Sequence, residues 1–220
     1  GRLDPMAHGQ LLVLVGDECK KRDQYQNLSK EYRFRVIFGL QTDTYDMLGL
    51  VKNEVNTESI QKLSKEEIEE VATSFVGKYE QSYPPYSSKP VDGKPLFQWA
   101  REGRLDEIKI PTKLVEVMSL QVINHSTILG SELLDYLSEN IQKVKGDFRQ
   151  EAIQEKWDEV LSMYESTEFP VIEFKATVSS GTYVRSIANE MGQKLGTGAF
   201  ALEIERLSFL RDSDQDTPVK

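Results

Sequence analysis

The residue with the clearest chemical potential in this sequence is Asp4, which lies in the string GRLDPMAHGQL at residues 1–11. Pro5 fixes its own φ and disfavours the helical region for the residue before it. Gly1 and Gly9 permit tight backbone turns on either side. The string therefore predicts a carboxylate on a stiff, non-helical corner, where it can act as a nucleophile or base, or serve only as a turn residue.

The elements that must position this corner follow from hydrophobic periodicity and capping signals. A short apolar run at residues 11–15 predicts a buried strand that anchors the corner. Residues 32–40 alternate, which predicts a strand with one buried face and one wet, basic face at Arg33 and Arg35. Further strands are predicted at residues 114–122 and 171–179, an ordered loop or ribbon at 81–95, and helices at 64–76, 97–104, 131–145, 148–164 and 182–195.

The chain is acidic, with a formal net charge of −9, but its charge is unevenly placed. The segments 53–80 and 131–169 hold the excess acid, and the rest of the chain is slightly basic. Basic side chains gather there in two groups, which are usually solvated surface but leave room for an RNA-binding face. These groups are Lys20, Lys21, Arg22, Lys30, Arg33 and Arg35, and Lys89, Lys94, Arg101, Arg104, Lys109 and Lys113.

Cysteine usage and hydropathy narrow the class of protein further. The single cysteine, Cys19, allows no disulfide within the chain, and no Cys/His spacing typical of a metal site occurs. This usage is typical of a reducing cytosol, and no apolar stretch reaches transmembrane length. We therefore expect a cytoplasmic protein with no metal and no membrane association.

Three further strings follow the first in order: KEY with TDTYD at residues 30–49, a proline- and tyrosine-rich stretch at 81–103, and SGTYVRS with LGTGA at 180–199. Together with residues 1–11, they resemble the TruB family of pseudouridine synthases over nearly the whole chain. The resemblance implies an α+β fold with a mixed, largely antiparallel central sheet and flanking helices, in one catalytic domain over residues 1–220. It also implies a reaction without a cofactor, in which a uridine is flipped out of the RNA and rejoined to its ribose through C5.

The same resemblance implies roles for individual residues. Asp4 would be the ionised catalytic carboxylate, and Arg185 of the GTYVR string its counter-charge in a closed site. Tyr32 would take part in catalysis by stacking on the flipped base, although a strand aromatic can also be a core residue. Core packing for Ile204 and a polar turn for Asp46 stay open as alternatives. The implied substrate-binding residues are Tyr32, Tyr183, Ile204, Asp46, Lys94 and Arg101.

The implied substrate is the T-loop uridine at position 55 of tRNA, bound through the T-arm by a protein that we expect to be a monomer. Two alternatives stay open: a non-catalytic RNA-binding or tRNA-folding module, and a pseudouridine synthase that acts on ribosomal or messenger RNA. The family's N-terminal segment and its C-terminal PUA domain have no counterpart in this sequence, so we expect a truncated chain.

A helical-hairpin insertion is predicted at about residues 124–168, which is longer than the usual family connection. Its two amphipathic helices must bury their apolar stripes against each other. Because the segment is acidic and would repel RNA phosphates, we expect it to lie away from the RNA cleft as an addition that can be deleted. A docking surface for a protein partner is the alternative.

Overall fold

A six-stranded sheet with helices on both faces organises the protein. The computed structural model describes residues 2–52, 55 and 57–210, so Gly1 lies outside the described part. Strand order in the sheet is β1-β8-β2-β7-β6-β3, and every pair is antiparallel except β1 with β8. The predicted α+β class with a largely antiparallel sheet is confirmed.

The sheet strands and a two-stranded ribbon, β4 with β5, have the following bounds. They are β1 (His8–Gly9), β2 (Ser29–Phe38), β3 (Gly77–Ser82), β4 (Pro90–Val91), β5 (Lys94–Pro95), β6 (Thr112–Leu129), β7 (Glu168–Val178) and β8 (Ala199–Leu210). The helices are α1 (Arg22–Gln26), α2 (Thr57–Lys62), α3 (Lys65–Thr73), α4 (Leu96–Arg101), α5 (Gly130–Lys143), α6 (Gln150–Leu161) and α7 (Val184–Lys194).

Strand β2 lies inside the sheet between β7 and β8, and its alternation confirms the predicted strand. Phe34 is buried and stacks on Phe174 of β7, with ring centroids 5.3 Å apart. Arg33 and Arg35 lie on the opposite, wetter face as predicted, but each binds glutamates of the neighbouring strands. The Arg33 Nη2 to Glu205 Oε2 distance, for example, is 2.6 Å. Cross-strand ion pairs neutralise this face, so it does not offer free positive charge to RNA.

The apolar run at residues 11–15 is not the predicted buried strand. Leu11, Val13 and Val15 are 59%, 70% and 76% exposed. Within the described residues, β1 ends at Gly9 and no strand pairs with the run that follows. Hydrophobicity predicted burial here, but burial also requires a partner strand.

The elements that were not predicted include β1, α2, β3 and β8. β3 is an edge strand of mostly polar residues, so its hydrophobic pattern is weak. The first part of β8 is buried on both faces, from Ala199 to Leu202, and therefore shows no polar alternation. β8 matters most, because it pairs with both β1 and β2 and carries Ile204 and Arg206.

Two helices support the sheet face beneath the Asp4 corner, and both confirm their predictions. α3 begins at a capping box, in which the Glu67 amide donates to Ser64 Oγ at 3.2 Å and the Ser64 amide donates to Glu67 Oε2 at 2.9 Å. α7 packs against β8, and Gly192 lies so close to Ala199 that a Cβ atom would collide with the Ala199 amide nitrogen. This close approach fixes α7, and with it Arg185, against the sheet.

Helices α5 and α6 are present as predicted, but they are not a dispensable addition. They pack on the opposite face of the sheet, where Trp157 is fully buried with its ring centroid 5.4 Å from that of Phe200. Leu133 and Leu137 are also fully buried in this second core, together with Ile37 of β2. Deleting the segment would remove much of this second core and expose the sheet residues packed against it, so we do not expect a folded deletion variant.

Candidate active site

A turn and a short parallel pairing build the Asp4 corner. The Ala7 amide donates to the Asp4 carbonyl oxygen at 2.9 Å, which closes a turn with Pro5 in its second position. β1 then pairs with β8, where Gly9 has φ +106° and a Cβ atom would collide with the Arg206 carbonyl oxygen. Only glycine tolerates this approach. The predicted stiff corner is therefore present and is attached to β8.

Arg185 reaches this corner from the first turn of α7. Its Nε donates to Asp4 Oδ2 at 2.9 Å, its Nη1 to the Thr44 carbonyl oxygen at 2.5 Å and its Nη2 to the Tyr86 carbonyl oxygen at 3.0 Å. The Arg185 side chain is 3% exposed, whereas that of Asp4 is 33% exposed. The guanidinium is thus fixed on three sides, and it holds a carboxylate that solvent can still reach.

Asp46 is a second carboxylate beside the same guanidinium. Its Oδ2 lies 3.8 Å from Arg185 Nε, and its Oδ1 accepts from the Leu48 amide at 3.0 Å and from Thr44 Oγ1 at 2.7 Å. Burial raises the pKa of Asp46 to about 6; Arg185 opposes this shift and Asp4 adds to it. Two carboxylates therefore share one arginine, and Asp46 is the one enclosed by protein.

Asp46→Asn tests this raised pKa. Folded protein keeps a proton on Asp46 up to a pH of about 6, whereas unfolded chain loses it near the ordinary value of 3.8. The stabilisation is fully present below the unfolded value and is lost as the pH rises through the folded value. We expect the unfolding free energy of the wild type, relative to Asp46→Asn, to fall by roughly 3 kcal/mol between pH 3 and pH 7 in urea titrations. Asp17→Asn, at an exposed position, serves as the control. If the difference in unfolding free energy from wild type were independent of pH for both variants, the raised pKa of Asp46 would be contradicted.

Tyr32 and Tyr183 lie near Asp4, whereas Ile204 is known here only as a core residue of β8. Tyr32 and Ile204 are buried in the core cluster of the α3 and α7 face. Burial raises the pKa of both the Tyr32 and the Tyr183 hydroxyl, and the charge of Asp4 adds to each shift. Both hydroxyls therefore lie close enough to Asp4 for its charge to act on them.

Two buried polar residues at the site were missed by the sequence analysis. Arg206 donates from Nε to the Gln10 carbonyl oxygen at 2.8 Å, and it hydrogen-bonds to the Tyr32 side chain. Gln81 accepts from the Tyr183 amide at 2.8 Å and donates to the Tyr183 carbonyl oxygen at 3.2 Å. A charged residue within the apolar strand β8 was the available signal for Arg206. For Gln81 the only signal was its place in the 81–103 string.

Lys94 and Arg101 do not join the Asp4 cluster. Lys94 Nζ lies 2.5 Å from Glu102 Oε2 and 3.8 Å from the centroid of the Trp99 ring. Arg101 donates from Nη2 to the carbonyl oxygen of Asp147, in the α5–α6 connection, at 2.7 Å. Both cations are at the ribbon and α4, and each is already bound to an acidic residue.

The described residues offer neither a cluster of metal ligands nor a helix that could span a membrane. No group of three or more His, Cys, Asp or Glu side chains among them could hold a metal ion. Nor is any helix of residues 2–52 or 57–210 long and apolar enough to cross a membrane.

Comparison with known proteins gives a consistent match. Residues 1–146 match the family described as TruB family pseudouridylate synthase, N-terminal domain. The tRNA pseudouridine synthase B of Thermotoga maritima is 32% identical over 208 residues, which cover 94% of this chain and 52% of that protein. The enzyme of the same name from Aquifex aeolicus is 33% identical, over 95% of this chain and 57% of that protein. The chain thus spans about half the length of these relatives.

A chain in the solved structure of the Cbf5–Nop10–Gar1 complex is structurally similar to this protein. It matches 85% of this chain and 32% of its own length, at 15% sequence identity and a TM-score of 0.43.

Proposed function

Because the chain belongs to the TruB family of pseudouridylate synthases, we propose that it converts uridine to pseudouridine in RNA and that its substrate is uridine 55 in the T-loop of tRNA. The observation that carries the proposal is the Asp4–Arg185 pair, with Nε and Oδ2 2.9 Å apart. The pair brings a buried cation to a carboxylate that solvent can still reach, an arrangement that is frequent at functional sites.

The geometry supports a division of labour among the site residues. Arg185 holds the Asp4 carboxylate in its orientation, while the open side of the carboxylate faces the incoming nucleotide. Tyr32 and Tyr183 offer ring faces to the flipped base, and Ile204 closes the pocket from β8. In the reaction the C1′–N1 bond breaks, the base rotates and a C1′–C5 bond forms, while C5 loses a proton and N1 gains one. Asp4 serves as the nucleophile or base of this sequence.

The T-arm must approach the exposed side of Asp4, and the ribbon with α4 offers the cations for its phosphates. Lys94 and Arg101 can bind phosphate oxygens if they exchange their present acidic partners for RNA. Asp46 would contribute to substrate binding only through Arg185, because it is enclosed by protein. We propose that the protein acts on tRNA as a monomer in the cytoplasm.

Incubation of the protein with unmodified tRNA, followed by mapping of pseudouridine, tests the function. We expect modification at position 55 and none in a tRNA that carries cytidine there. An isolated T-arm stem-loop should also be modified, if the T-arm is sufficient for recognition. Modification of ribosomal or messenger RNA fragments in preference to tRNA would move the substrate to those RNAs. If the protein bound tRNA but formed no pseudouridine, it would be an RNA-binding module and not an enzyme.

A further inference from the structure

Arg149 lies in the connection between α5 and α6, yet its side chain crosses to the TDTYD loop. Its Nη1 lies 2.8 Å from Asp43 Oδ2 and its Nη2 lies 3.2 Å from Asp43 Oδ1, a two-point ion pair. The guanidinium carbon lies 4.4 Å from the centroid of the Tyr86 ring. The side chains of Arg149 and Asp43 are 21% and 14% exposed, so the pair is largely shielded from water.

The two segments that Arg149 touches are the same two that hold Arg185. Asp43 directly precedes Thr44, whose carbonyl oxygen accepts from Arg185 Nη1. Tyr86, under the Arg149 guanidinium, supplies the carbonyl oxygen that accepts from Arg185 Nη2. Arg149 therefore contacts both segments whose carbonyl oxygens accept hydrogen bonds from Arg185.

Asp43 also stabilises the loop by hydrogen bonds to Leu50. Its Oδ1 accepts from the Leu50 amide at 2.8 Å, and the Asp43 amide donates to the Leu50 carbonyl oxygen at 3.0 Å. Arg149 completes this arrangement from outside the loop. Its own backbone has φ 65°, which is unfavourable for a residue with a Cβ atom. Asparagine or glycine would relieve that strain, so the side chain, rather than the turn, explains arginine at this position.

We propose that Arg149 is a positioning residue: it fixes the Thr44 and Tyr86 carbonyl oxygens, and through them the orientation of Arg185 against Asp4. This inference rests on the proposed function, and it gives the α5–α6 hairpin a part in the reaction. A small displacement of a catalytic group lowers the reaction rate strongly. Greater mobility of the Thr44 and Tyr86 carbonyl oxygens should therefore lower turnover, although no group that touches the substrate is removed.

The test compares Arg149→Met, Arg149→Lys and Lys156→Met in the complete protein. The last variant removes one positive charge from the same hairpin, at an ion pair with Glu159 on α6, and serves as the matched control. For Arg149→Met we expect kcat to fall by about 30-fold with KM changed by less than about threefold. Arg149→Lys should recover only part of kcat, because lysine keeps the charge but not the planar two-point contact. Lys156→Met should behave as wild type.

Hydrogen exchange supplies a readout that does not depend on activity. Amides of residues 43–50 should exchange faster in Arg149→Met than in wild type, and those of α6 should not. A variant that loses only RNA affinity, with kcat and exchange unchanged, would make Arg149 an RNA contact and overturn the proposal. Unchanged kcat with a lower melting temperature would make it a stability residue only. If the wild type itself makes no pseudouridine, the proposed function fails, and unaltered exchange in residues 43–50 would overturn the positioning role separately.

Discussion

Asp4→Asn is expected to abolish pseudouridine formation while leaving tRNA affinity within a few-fold of wild type. Asparagine has nearly the same shape, and its side-chain oxygen can still accept from Arg185 Nε, so the corner should persist. It cannot act as an anionic nucleophile or base, which removes the step on which the reaction depends. Loss of an essential catalytic side chain costs about 10⁴-fold or more in turnover.

Single-turnover assays at saturating tRNA, paired with filter-binding measurements, separate the two effects. His8→Gln is the matched control, since His8 lies on the same corner but its exposed ring contacts Glu203, with 3.0 Å between Nε2 and Oε1. The control should retain wild-type turnover. Residual turnover of Asp4→Asn above about a tenth of wild type would refute an essential role for the carboxylate.

Arg185→Met is expected to have the second-largest effect, on both turnover and stability. The substitution leaves the Thr44 and Tyr86 carbonyl oxygens without their donor and places two carboxylates together without a counter-charge. Removing one partner of a buried ion pair costs about 3–5 kcal/mol of unfolding free energy. Turnover should fall even at saturating RNA, because Asp4 loses its orientation as well as its counter-charge.

Assays of this variant belong well below its own unfolding midpoint, so that loss of activity is not loss of fold. Arg185→Lys is the informative companion: it keeps a positive charge but cannot reach all three acceptors, and intermediate turnover is expected. A pure loss of affinity, with turnover at saturation unchanged, would instead identify Arg185 as a phosphate contact.

Local rules in the sequence determined the parts of the site that depend on near neighbours. Pro5 and Gly9 made the Asp4 corner non-helical, and the Ser64–Glu67 spacing placed the start of α3. Alternation along β2 identified its buried face. The pairing of Arg185 with Asp4 was expected only through resemblance to a family, because no local rule joins residues so far apart in the chain.

Tertiary structure alone decided which cations are free to bind RNA and which apolar residues are buried. Arg33 is neutralised by Glu205, which reaches it only when β8 pairs with β2. Leu11, Val13 and Val15 are exposed, because no described strand pairs with their run. The α5–α6 hairpin covers a core and brings Arg149 to Asp43, although its acidic composition suggested a separate, peripheral position. Composition and periodicity indicate which residues of a segment can be buried and what charge it carries. Which residues they contact depends on sheet pairing and helix packing among segments that are distant in the chain.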